Sequence, residues 1–159
     1  MNFLDLVSTG GVLKKLETDE MLKSNQITKN YGLQLTLTEV QEIIETRNRA
    51  VQSSGRIELG TEIPLKIIRT FYASSFICLE DYAYIISELV AIFYHMKNET
   101  EDLIGDDELI NIMKDFFDGS CKGSLTLLKN REMIMFARDF RKARQKDDFL
   151  RKEDHGDEP

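Results

Sequence analysis

Between Cys78 and Asn98 the chain reads CLEDYAYIISELVAIFYHMKN. Wound at about 100° per residue, this stretch places Tyr82, Ile85, Ile86, Leu89, Ile92, Phe93 and Met96 on one side. Glu80, Asp81, Tyr84, Ser87, Glu88 and His95 gather on the other. The apolar arc covers about half the circumference, wider than the stripe of roughly 100° with which a surface helix meets a core, so several neighbours must cover it. A central helix is therefore expected over residues 79–97, and the fold class is all-α, an irregular bundle of about five to six helices around it.

Flanking segments supply the rest of the bundle. Val12, Leu13 and Leu16 restart a helical spacing after Gly10-Gly11, which is expected to interrupt the apolar turn from Phe3 to Val7. Asn25 to Leu35 reads as a connector, with Gly32 free to take the left-handed conformation that ends a segment. Thr36 and Glu39 have the capping-box spacing, which predicts a helix from Thr38 to Ser53. Arg56 to Leu59 alternates charged and apolar residues as a short extended piece does, and one two-stranded pairing with Leu33 to Leu37 is a candidate.

Thr61 is placed to cap the next helix, with Pro64 in its first turn. Asp106 is placed to cap another, whose inner side is Leu109, Ile112, Met113, Phe116 and Phe117. Met133, Phe136, Phe140 and Ala143 define a last amphipathic helix. Residues 1–145 are expected to make one helical domain, with 1–30 tied to it loosely. The charged residues 146–159 offer too little apolar surface to offset the entropy of ordering them, so a disordered C-terminal tail is expected.

A chain of 159 residues with 42% apolar content can bury a substantial core. Its net charge of -7 repels phosphates, which disfavours nucleic acid and anionic membrane as partners. No run approaches the ~18 apolar residues that a membrane span needs. Two cysteines, Cys78 and Cys121, make no disulfide framework, and the opening MNFLDLVSTGG lacks the pattern of a secretory signal, so a cytoplasmic location is expected. The sequon Asn98-Glu99-Thr100 is then without consequence.

Tyr31-Gly32-Leu33, Gly55-Arg56-Ile57-Glu58, Glu80-Asp81-Tyr82, Lys97-Asn98-Glu99, Asp107-Glu108-Leu109 and Phe117-Asp118-Gly119 resemble segments of an uncharacterised family of short, mainly helical bacterial proteins, a domain of unknown function. The resemblance covers residues 31–125. It implies a bacterial cytosolic protein and brings no activity, cofactor or catalytic residue with it.

Residue type and pattern disagree most at Arg47, which falls within the apolar stripe Val40, Ile43, Ile44, Val51 of its helix. Two roles fit: a structural guanidinium that packs its stem and reaches a carboxylate, or a clamp holding an external oxyanion with parallel N–H bonds. Cys121 and Lys122 lie in DGSCKGS, where an adjacent lysine and a helix N-terminus would lower a thiol pKa. Against this, no histidine stands near as a base, and a small buried cysteine in a tight turn is the plainer reading.

His95 and His155 are the only histidines, so a zinc site lacks ligands, and no metal or cofactor is expected. Phosphate-loop, dinucleotide and zincin motifs do not occur. Six acids and no base lie between Asn98 and Glu108, without the alternation of a calcium loop. Arg138, Arg141 and Lys142 form a basic stripe on the last helix.

These features point to a non-enzymatic helical interaction or regulatory module, whose partner is another protein or a second copy. The alternatives are a small-anion receptor or enzyme centred on Arg47, marked by a polar pocket there, and weak nucleic-acid binding through the basic stripe.

Overall fold

The computed structural model describes the backbone from Phe3 to Gly156 and the side chains of residues 13–153. It is 75% helical. The long elements are α1 (Phe3–Lys23), α3 (Leu37–Ser53), α4 (Glu62–Phe71), α5 (Tyr82–Glu99), α6 (Asp106–Asp118) and α8 (Met133–Gly156). A single turn α2 (Asn25–Thr28) follows α1, and α7 (Leu125–Leu127) with a π-helical turn (Leu128–Glu132) leads into α8.

The central helix starts and ends two or three residues later than its sequence pattern suggests. All seven residues assigned to its apolar side are buried, joined by Val90, Tyr94 and Lys97. It packs against α3, α4, α6, α7 and α8, which is how so wide an arc is covered. Phe71 and Phe117 meet edge-to-face at 5.5 Å where α4 and α6 close over the core.

Local signals explain most boundaries. Thr36 accepts from the Glu39 amide while the Glu39 carboxylate accepts from the Thr36 amide, a complete capping box at the start of α3. Gly32 ends the preceding turn at φ +76°, the left-handed conformation expected of it. Asp106 lies inside the first turn of α6 rather than capping it, and Gly105 holds the cap position. Thr61 precedes α4 but makes no cap bond; its hydroxyl donates to Glu20 of α1 at 2.6 Å instead.

Three expectations need correction. No strand occurs among the described residues, so the pairing of Leu33–Leu37 with Arg56–Leu59 does not form. The reason is that Leu33 and Leu35 turn into the core, and the Asn25 side chain takes both the amide and the carbonyl of Leu35, which a ladder would have used. Next, α1 runs unbroken through Gly10-Gly11. Each glycine costs a helix about 1 kcal/mol, which a helix of 21 residues can absorb.

Lastly, α8 continues past Gln145 to Gly156 where a disordered tail is expected, although the expectation for 157–159 lies outside the described residues. Every described side chain from Gln145 to Glu153 is exposed. Ending the chain after Gln145 should therefore leave the chemical-unfolding midpoint of the remainder unchanged at high ionic strength, and a loss of cooperative unfolding would place the tail in the fold.

Tyr82, fully buried at the start of α5, has a hydroxyl without a hydrogen-bond partner. Burial pushes its phenol up to about 12, with the Thr28 hydroxyl beside it pulling the other way.

Candidate functional site

Arg47 projects from the buried face of α3 and is itself buried. Its terminal nitrogens bond the Glu17 carboxylate of α1 at 2.6 Å and the carbonyl of Gly60, and its Nε donates to Asn48 at 2.8 Å. Glu17 is buried as well, so this is an ion pair between α1 and α3 with the loop before α4 tied to it. A planar guanidinium suits such a junction because its rigid fork serves several acceptors at once, which a lysine does not.

Gly60 belongs to the segment 56–61, which four further long-range hydrogen bonds hold. Arg56 bonds Asp102 and, at 3.3 Å, Asn98. Glu58 accepts from the Tyr94 hydroxyl at 2.5 Å, and Thr61 donates to Glu20. Burial, reinforced by the Glu58 carboxylate, pushes the Tyr94 phenol well above its ordinary range, so it remains a donor. A small cavity of about 180 Å³ lies under the segment, lined by Glu58, Gly60, Glu62, Ile63, Tyr94 and Asp106 among others.

The alternation read from sequence is present in three dimensions. Arg56 and Glu58 turn to partners within the chain, Asp102 and Tyr94, while Ile57 and Leu59 stand 94% and 77% exposed. Burying such a side chain is worth about 1.5–3 kcal/mol, so a fold that fixes this loop and still leaves both in water forgoes a sizeable gain.

The other sequence candidates lie elsewhere. Cys121 is buried after α6, near Arg131 and Glu132, and shares no partner with Arg47. Burial pushes its thiol up, opposite to what a nucleophile needs. The amides of Cys121, Lys122, Gly123 and Ser124 are all bonded to backbone carbonyls, so this turn has no free N–H groups to cradle an anion. Lys122 is exposed at φ +48°, and Gly123, at φ +81°, leaves no room for a Cβ beside Phe76.

Of the basic stripe, Arg138 and Lys142 are exposed while Arg141 pairs with Glu99 at 2.7 Å. Neighbouring Arg144 pairs with Glu101 at 3.0 Å. The acid-rich segment is likewise absorbed inside the chain: Lys97 holds Asp106 at 2.8 Å, and Lys66 holds Asp107 at 2.9 Å. These bonds steady a loop in which Glu101 and Asp102 both take left-handed backbone, at φ 55° and 60°. His95 is exposed on α5, 4.0 Å from Glu99. Among the described residues no three His, Cys, Asp or Glu side chains gather as a metal site requires. No described helix is long and apolar enough to cross a membrane.

Sequence reasoning isolated Arg47 and the alternation at 56–59, but missed Glu17, Glu58, Gly60, Tyr94 and Lys97. Glu17 carries no local signal of its pairing, since its partner lies 30 residues away. Lys97 had a weak one, as a cation at a helix end before a run of acids.

Comparison with curated proteins and with solved structures gives no match. A family model does match, over residues 20–146, which takes in α3 to α6 and the whole segment just described, and extends the resemblance seen in the sequence at both ends. The chain belongs to that family, DUF6323, a family of unknown function.

Proposed function

We propose that the protein is a non-enzymatic helical interaction module that binds another protein through the segment 56–60. The observation that carries this reading is the contrast between fixation and exposure: Arg47 and Tyr94 hold the segment from the core, Asp102 and Glu20 hold it and its flank at the surface, and Ile57 and Leu59 face water. Exposed apolar side chains on a fixed backbone bind with little ordering cost, which is what an interface anchor requires. The cytosolic, bacterial setting implied by the sequence resemblance suits such an adaptor.

The alternatives have less support. An anion clamp at Arg47 would displace Glu17 from a buried pair, at the cost of leaving that carboxylate uncompensated. Nucleic-acid binding through the last helix would have to draw Arg141 from Glu99.

The test is affinity capture from the native cell with the wild-type chain and with the double variant Ile57→Asp/Leu59→Asp. A partner enriched on the wild type should fall by at least about tenfold on the variant, with unchanged circular dichroism. Identical capture profiles for the two baits would refute the assignment.

A further inference from the structure

Most charges that face one another between helices are paired inside this chain, and two surfaces of opposite sign are left over. One is a groove of about 420 Å³ between α3 and the start of α5. Glu39, Glu42, Glu45, Glu80 and Glu88 line it against Arg49 alone. The five carboxylates and one guanidinium sum to -4, more than half of the chain's -7. All five stand outside the ion pairs found among the described residues, which involve Glu17, Glu58, Glu62, Glu99, Glu101 and Glu132 among the glutamates. Tyr84 rises from the same groove, 64% exposed.

The other surface is the outward face of α8. Arg138, Lys142 and Lys146 follow one another at four-residue steps, all exposed, with Phe149 one turn further on and 61% exposed. Four residues of helix rise about 6 Å, the step from Tyr84 to Glu88 along α5, with Glu80 in the turn just before that helix. A basic helix laid in the groove meets carboxylates from both walls, Glu39, Glu42 and Glu45 on α3 and Glu80 and Glu88 at α5.

The groove cannot be filled by the α8 of its own chain. Lys129, just ahead of α8, lines a cavity with Glu88, Ile92 and His95 in the middle of α5. Arg141 and Arg144 then bond Glu99 and Glu101 at the far end. The helix thus travels along α5 toward its C-terminus and leaves the body there, away from the groove at the N-terminal half.

We infer that a second copy of this chain supplies the helix: the Arg138–Phe149 face of α8 in one copy docks in the α3–α5 groove of the other, and the exchange is reciprocal. Each copy carries one groove and one helix, so a twofold pair satisfies both and closes without growing into a fibre. Each contact screens charge that is otherwise unmatched, which makes the association steeply dependent on salt. This pairing uses none of the residues 56–60, so it stands apart from the Ile57 and Leu59 surface.

Sedimentation equilibrium tests it with the full chain and two charge-reversed variants, Glu42→Lys/Glu45→Lys/Glu80→Lys and Arg138→Glu/Lys142→Glu, all five positions being exposed. The wild type should be a dimer at low ionic strength and dissociate as salt is raised. Each variant alone should be monomeric, because one member of both contacts has the wrong sign. Mixed in equal amounts, the two variants should recover a dimer, since each reversed surface then has a complementary mate in the other chain. A wild type that is monomeric at low salt overturns the proposal. So does a dimer that survives either reversal, or a mixture that stays monomeric.

Discussion

Arg47→Met is expected to lower the free energy of unfolding by about 3 to 5 kcal/mol, measured by denaturant titration. The methionine fills much of the volume of the arginine stem, so little of the loss comes from packing. It comes from Glu17, left buried without its cation, and from the Gly60 carbonyl, left without its donor. Against a typical total of about 5–15 kcal/mol, that brings the protein close to unfolding at ordinary temperature. Arg47→Lys should recover only part of the loss, because one ammonium cannot reach Glu17, Gly60 and Asn48 in the fork geometry that the guanidinium provides. A change near zero in Arg47→Met would mean that Glu17 is solvated and the pair is an accessory of the surface.

The second large effect is expected at the centre of α5. Leu89 and Phe93 are buried on the face that α3, α4 and α6 cover, and Phe93 also meets Tyr94 edge-to-face at 5.1 Å. Truncation of either to alanine should cost about 2 to 5 kcal/mol, the transfer energy of the lost atoms plus the cavity left behind. Phe93→Ala should be the worse of the two, since the ring is larger and its removal also loses the aromatic contact. An effect under about 1 kcal/mol at both sites would show that the bundle is not organised around this helix.

What the sequence makes legible follows from how local each signal is. The arc of α5 and the capping box of Thr36 and Glu39 are each written within a few residues, and both appear as expected. Arg47 is legible as an anomaly because a charge interrupts a stripe of Val and Ile. Its partner is not, because Glu17 differs in no local respect from the other glutamates of the chain. Thr61 looks like a cap from its spacing to Pro64, yet its hydroxyl goes to Glu20, a tertiary bond that no spacing rule contains.

The far end of α8 is misread for a different reason. Lys, Arg, Glu and Gln are good helix formers, and Asp147 with Arg151 and Asp148 with Lys152 stand four residues apart. The composition that signals disorder is thus also that of a solvated helix extending from a docked one. The alternation at 56–59 suggests a strand partner, but side chains and not a neighbouring strand hold this piece.

Side-chain bonds from Arg47, Tyr94 and Asp102 fix the backbone around Ile57, Glu58 and Leu59 while two apolar side chains stay in solvent. Backbone amide order parameters of these three residues in the wild-type protein test this fixation most directly. Values close to those of the helices, about 0.8, are expected on the picosecond to nanosecond timescale. Values below about 0.6 would mean that the segment moves freely in spite of Arg47, Tyr94 and Asp102, and would contradict it.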